Sequence, residues 1–261
     1  MRALYIAATG MMAQEMNVQV ISNNIANMQT TGYKRQRAEF QDLLYQNLRR
    51  AGTTTSQNDT VLPAGLELGS GVKTVATPRD MSQGTLSTTN KNFDIAIRGD
   101  GFFQVQMPDG STAYTRDGSF QPDANGVIVT QDGYPVLPNI SVPNNATAVT
   151  INNEGLVQAT IPGQTAPQTI GQLQLARFVN PAGLQSNGDN LYSETVASGP
   201  PLVQNPGDQG TGTVLQGSLE GANVNAVTEI SDLIAAQRAY EMNAKVVSTA
   251  EAMLDATNNL R

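Results

Sequence analysis

The sequence predicts an α+β chain in which two terminal helices pair in a coiled-coil-like layer and a β-rich domain of short strands and hairpins is inserted between them. Three observations carry this. All 13 prolines lie between Pro63 and Pro206. Of the 24 glycines, only Gly10 and Gly32 precede Gly52, and none follows Gly221. Residues 1–50 and 222–261 are therefore free of the strongest helix breaker and nearly free of the second. Finally, apolar residues near both ends recur at steps of three and four, the spacing of one helical face. The boundaries drawn from these patterns are a helical segment over 1–45, an extended arm or linker over 46–72, a β-rich domain over 73–208, a connecting segment over 209–226 and a C-terminal helix over 227–261.

The first helix carries Leu4, Ala8, Met11, Val18, Ile21 and Ile25 along one face, with Glu15 and Ser22 interrupting the stripe. A helix over residues 3–27 runs about 37 Å. Asn27-Met28-Gln29-Thr30-Thr31-Gly32 then breaks the pattern with cap and turn residues. A second helical run is predicted from Lys34 to about Leu48, with Phe40, Leu43, Leu44 and Leu48 apolar. Residues 51–65 carry little apolar material and read as a loop, a linker or an extended arm.

From Val72 onward short strands dominate. Residues 94–98 alternate as a half-buried strand does, and further strands are read at 102–107, 112–116, 127–130, 134–137, 148–151, 156–160 and 173–178. Asp-Gly and Asn-Gly pairs at Asp109, Asp117, Asn125 and Asp132 tolerate the positive φ of tight hairpins. Gly199–Gly212 returns to loop composition. At the far end Ile230, Leu233, Tyr240, Ala244, Val247 and Leu254 follow a step averaging 3.5 residues, the coiled-coil period, with Gln237 and Glu251 interrupting.

Composition removes whole classes of function. A net charge of −7 argues against nucleic-acid binding, which needs a basic surface. The short basic runs, Lys34-Arg35 with Arg37 and Arg49-Arg50, read as solvated helix faces. Histidine and cysteine are both absent, which excludes Ser-His-Asp and Cys-His nucleophiles, Cys/His zinc sites and disulfides. Met1-Arg2 followed by Ala3–Ala8 resembles the start of a signal peptide, but Thr9-Gly10 interrupts the apolar run and helical phase continues through Gln14-Glu15. No stretch approaches the ~20 apolar residues of a membrane span.

Two local patterns suggest chemistry and fall short of it. The segment Gln121–Asp132 resembles a calcium loop, yet Gln121 and Asp132 depart from the first and last ligand positions and no helices flank it. Gly99-Asp100-Gly101 and Gly207–Gly212 lack the strand, helix and lysine of a phosphate cradle. No pair of carboxylates is singled out for glycoside hydrolysis. The reading is a protein without catalytic, cofactor-binding or metal sites.

Four runs in order resemble a known family. Ser22-Asn23-Asn24-Ile25-Ala26-Asn27 with Thr31-Gly32-Tyr33-Lys34-Arg35 is similar to the N-terminal signature of the bacterial flagellar basal-body rod and hook proteins. Asn223-Val224-Asn225 with Ala235-Ala236-Gln237-Arg238-Ala239-Tyr240-Glu241-Met242-Asn243-Ala244-Lys245 resembles their C-terminal signature. Gly99–Phe103 and Tyr114–Phe120 resemble their β domain. Residues 46–70 look like the extra segment of the distal-rod members. The residues on which the likeness falls most heavily are Asn23, Asn24, Asn27, Thr31, Gly32, Tyr33, Gln237, Arg238 and Tyr240.

The resemblance implies a tubular polymer of many copies, with the paired terminal helices as subunit interfaces and the β domain outside. It implies a structural part of the distal rod that transmits torque and encloses an export channel. The implied partners are further copies, other rod proteins, the hook protein or a hook-junction neighbour, the P-ring and L-ring, and the flagellar type III export apparatus. The implied location is the basal body from periplasm to outer membrane, reached without a cleaved signal peptide. The alternatives are a sibling axial protein of the same family, or a monomeric cell-wall glycan-binding β module with ordered helical ends.

Overall fold

The computed structural model describes residues 2–52, 63–164, 166–208 and 210–259. The central part of the expected arm, 53–62, lies outside the described residues. The chain divides into two compact units. One, the helical unit, comprises Met1–Ile25, Gln36–Pro78 and Asn225–Arg261. The other, the β unit, comprises Ala26–Arg35 and Arg79–Val224.

In the helical unit, α1 (Arg2–Ala26) and α2 (Ala226–Asn259) are the two terminal helices. Neither contains proline, and Gly10 is the single glycine in either. Asn225 caps α2: its Oδ1 accepts the backbone N–H groups of Val227 at 3.0 Å and Thr228 at 3.3 Å, satisfying two donors of the first turn. The helix predicted over 34–48 does not form. In its place are β1 (Glu39–Asp42) and β2 (Tyr45–Arg49), paired antiparallel with β4 (Val72–Ala76) and β3 (Leu66–Gly69) respectively. The run is too short to hold a helix by propensity alone, and the facing strand supplies a ladder that decides the conformation. Of the expected arm, the described residues therefore supply both strands of the β2–β3 ribbon rather than an unpaired extension.

The β unit contains the remaining strands: β5 (Leu86–Thr88), β6 (Ile95–Arg98), β7 (Phe102–Gln106), β8 (Thr112–Thr115), β9 (Gln121–Pro122), β10 (Ile128–Val129), β11 (Ala148–Ile151), β12 (Leu156–Thr160), β13 (Gln168–Gln172), β14 (Leu175–Arg177), β15 (Gln185–Gly188), β16 (Leu191–Ser193), β17 (Leu202–Gln204), β18 (Thr213–Gln216) and β19 (Ser218–Glu220). Its largest sheet has the order β15-β16-β8-β7-β14-β17. Successive residues of a strand face opposite sides, and β7 shows it directly. Phe103 joins a core cluster with Ile95, Ile97, Phe120, Val157 and Leu175. Phe102 joins a second cluster with Tyr114, Phe178 and Tyr192. Edge-to-face ring contacts fix both, with centroids 5.0 Å apart for Phe103–Phe120 and 4.8 Å for Tyr114–Phe178.

Two sequence boundaries need correction here. β17 lies inside the stretch read as a loop after Gly199. Residues 213–220, read as a connecting segment, are strands: β18 pairs with β6 and β19 with β5. Val214 is buried in the core, so this segment belongs to the β unit. The short apolar content of Thr213–Glu220 gave no periodic signal, and its partners lie more than 100 residues earlier.

Candidate assembly surface

Within the helical unit, α1 and α2 run antiparallel in a register fixed by two contacts. Asn24 Nδ2 donates to Glu229 Oε2 at 3.1 Å. Gly10 lies against Asn243, where an added Cβ would approach the Asn243 amide nitrogen to 2.9 Å. Fourteen residues separate the contacts on each helix, or two heptads. The residues buried along α1 are Ala7, Ala13, Val20, Ile21 and Asn24, and those along α2 are Glu229, Ala236 and Ala250. Small residues at this seam let the two backbones approach closely, much as they do between membrane helices.

Asn24 is nearly inaccessible, and all its polar capacity is used. Its amide donates to the Gln36 carbonyl at 2.8 Å, and its Oδ1 accepts the Gln36 N–H at 2.9 Å. It thereby fixes Gln36, the first residue after the loop, against the end of α1. The Glu229 carboxylate is wholly buried in the first turn of α2, where the helix dipole favours a negative charge.

The loop 26–35 is held within the β unit. Asn27 starts a turn: its carbonyl accepts the Thr30 N–H at 3.0 Å, and its Oδ1 accepts the Thr30 hydroxyl at 3.2 Å. The Thr31 carbonyl accepts Asn190 Nδ2 at 3.1 Å. Gly32 has φ +69°, and a Cβ there would lie 2.7 Å from the Asp117 backbone nitrogen. Only glycine satisfies both constraints. Its N–H donates to the Glu220 carbonyl at 2.7 Å. Tyr33 is half-buried, with its N–H on the Thr30 carbonyl.

Lys34, read from sequence as part of a solvated basic face, is instead fully buried. Its Nζ donates to Glu220 Oε1 at 2.7 Å and to the Ser82 carbonyl at 2.8 Å. Arg116 donates to Glu220 Oε2 at 3.3 Å and stacks over the Phe102 ring at 5.2 Å. Gly84 N–H completes the carboxylate's shell at 2.8 Å. Burial pushes the Lys34 amine below its ordinary value, with Glu220 opposing it, and burial likewise lowers Arg116. Asn223 closes the same knot: its Oδ1 accepts the Arg35 N–H at 2.7 Å, and its amide donates to the Asp80 carbonyl at 2.9 Å. Sequence reasoning missed this triad because its members lie at 34, 116 and 220. The signals were the family runs containing Lys34 and Arg116, and neither gives a partner.

The residues proposed from sequence as subunit contacts fall in several environments. Ile21 is buried along the α1–α2 seam; Leu4, Ala8, Met11, Val18, Ile25, Leu233 and Val247 are half-buried; Ile230, Tyr240, Ala244 and Leu254 are exposed. Asn23, Gln237 and Arg238 also face outward. Beside the seam, α2 leaves further apolar side chains open: Val227, Ile230 and Ile234 on one flank towards its start and Met242, Val246 and Met253 on the other towards its end, exposed by 44 to 75%. Tyr5, Met12 and Met16 continue the exposed apolar surface on α1. A helix apolar on both sides is built to be covered on both sides.

Asp123, the heart of the calcium-like segment, spends Oδ1 on the N–H groups of Asn125 and Val127, both at 2.8 Å, as a hairpin turn does. Among the described residues, no three His, Cys, Asp or Glu side chains are grouped to hold a metal ion, and no helix is long and apolar enough to cross a membrane.

Three family profiles match along the chain. They are described as flagella basal body rod protein (residues 4–34), flagellar hook protein FlgE/F/G D1 domain (96–159) and flagellar basal body rod FlgEFG protein C-terminal (215–260). The flagellar basal-body rod protein FlgG of Caulobacter vibrioides is 54% identical over 261 residues, 100% of both chains. FlgG of Borreliella burgdorferi is 48% identical over 263 residues, 100% of this chain and 99% of that one. The rod protein FlgF of the same Caulobacter is 33% identical over 264 residues, 99% of this chain and 97% of its own.

Proposed function

The chain belongs to the flagellar basal-body rod protein family, and on that premise we propose that it is a structural subunit of the distal rod. The greater likeness to FlgG than to FlgF of one organism supports the distal position over a sibling axial role. Copies polymerise through their terminal helices into a stiff tube that carries motor torque to the hook and encloses the export channel.

The observation that carries this reading is the apolar surface that α2 leaves open. Val227, Ile230 and Ile234 on one flank of the seam and Met242, Val246 and Met253 on the other are exposed in one chain. Monomeric proteins rarely leave so extended an apolar face in water, and covering it with another copy converts the cost into assembly energy of about 25 cal/mol per Å². Contacts between different faces of identical copies do not close on themselves and generate a helical filament. The β unit, with its apolar side chains already turned inward, forms the outer layer.

The same reading supplies the neighbours: other rod proteins below, the hook protein or a junction protein above, the P-ring and L-ring around. The subunit reaches this position, from periplasm to outer membrane, through the flagellar type III apparatus without a cleaved signal peptide. It performs no catalysis and binds neither cofactor nor nucleic acid. The ribbon β2–β3 reaches a neighbouring copy and stiffens the tube.

Deleting the gene and imaging isolated basal bodies by electron microscopy tests the proposal. Truncated rods lacking an outer section and hook, in non-motile cells, are expected. Complete hook–basal bodies on swimming cells would overturn it and favour the glycan-binding alternative.

A further inference from the structure

In the helical unit a groove of about 720 Å³ opens between the first turns of α1 and the base of the β2–β3 ribbon. Its apolar lining is Tyr5, Ile6, Leu44, Tyr45 and Leu68, and Arg2 is its one charged residue. Leu44 is 89% exposed. Such a volume suits a few large side chains presented by a helix.

The last two turns of α2 offer a matching surface. Ala250 is the last residue of α2 buried within the chain, and every residue from Glu251 to Thr257 is exposed. The antiparallel register explains this: continued from Gly10–Asn243, it sets Arg2, the first residue of α1, level with Glu251. Beyond that point α2 has no helix of its own chain to lie on. Leu254 follows Val247 by seven residues, so it continues the face that is partly covered upstream. Glu251 and Asp255, one turn apart, lie together to one side of Leu254, and no lysine or arginine occurs between Val246 and Asn259.

We propose that the acidic, apolar end of α2 seats in this groove on a neighbouring copy, with Leu254 as anchor and Glu251 and Asp255 facing Arg2. The proposal deepens the rod reading and rests on it: a second copy is the occupant because the groove and its complement are both present on this chain. A straight helix directs its final turns away from its own α1, so the contact joins two subunits and locks their helical layers laterally.

The chain has no cysteine, so introduced thiols react alone. The double variants Leu254→Cys/Leu44→Cys and Leu254→Cys/Leu68→Cys would be expressed in a strain lacking the native gene. Isolated basal bodies would then be treated with a short bismaleimide. A ladder of covalent multimers in the double variants, with none in the single variants, is the expected result. Arg2→Glu lowers the ladder yield roughly threefold, the scale of a partly exposed ion pair, and Asp255→Arg restores it. A fast-migrating, internally linked monomer would overturn the proposal by showing that the groove takes the chain's own end. Linkage to a different rod protein would overturn it too. Rods that assemble normally without any linkage would overturn the groove while leaving the rod reading intact. Absence of the protein from basal bodies would remove both.

Discussion

The β unit and the helical unit solve opposite problems. In the β unit, Ile95, Ile97, Phe103, Leu175 and Val214 are excluded from water, and even its ion triad is fully enclosed. In the helical unit the buried seam is made of alanines, Val20, Ile21 and polar side chains, while most of the methionines, Ile6, Ile230, Ile234, Val227 and Val246 face outward. One unit has enclosed most of its large apolar side chains, with Val179, Val196, Leu202 and Val203 among the exceptions; the other has many of its largest still to cover. A subunit that ends in an assembly uses such a division, with burial largely completed in one part and surface left for contact in the other.

The largest effect expected on that comparison comes from Glu220→Gln. Removing the carboxylate leaves Lys34 and Arg116 buried without their counter-charge, which costs about 3–5 kcal/mol. Thermal denaturation should show the β unit melting at a much lower temperature. An unchanged melting curve would mean that the triad adds nothing to the enclosed unit.

A smaller effect, about 1 kcal/mol, is expected from Asn225→Ala, which removes the cap of α2. Hydrogen exchange should rise in the first turn of α2 while the amides of β7 and β14 stay protected. Equal loosening in both would show that the two units melt as one.

Smaller still is the stability change for Ile234→Ser on the exposed flank of α2, within about 0.5 kcal/mol for a single chain. Rod assembly should nevertheless fail, read as loss of the protein from isolated basal bodies. Normal rods would place the assembly surface elsewhere on the helices.

The mildest test is acid. Backbone and side-chain donors of Ser82 hold the Asp80 carboxyl below its ordinary value of 3.8; the Ser111 hydroxyl does the same for Asp109, and the Val127 N–H for Asp123. A carboxyl lowered on folding stabilises the fold above its unfolded value, and that contribution is lost as pH falls through the folded one. All three belong to the β unit. Its melting temperature should be level from pH 7 to about 5 and fall progressively below about 4. A level profile down to pH 3 would show that these turns contribute nothing.

The sequence by itself determined the two helices, because the absence of proline and the 3–4 spacing act locally and α1 and α2 end within a few residues of where those patterns stop. It also determined the β7–β8 and β9–β10 hairpins through Asp109-Gly110 and Asn125-Gly126, whose φ preference needs no partner. The run 34–48 went the other way: Phe40, Leu43, Leu44 and Leu48 step as in a helix, and only the strands at 66–76 made them a ribbon. Tertiary structure alone decided which helical face is covered, since α1 chose Ala7, Ala13 and Asn24 for its inner side and left Met12 and Met16 outside. It also turned Lys34 from a surface charge into the buried partner of Glu220, 186 positions away. Local propensity is written into neighbouring residues; which faces meet, and which charges are buried together, depends on pairings between residues far apart in the chain, and no local spacing encodes them.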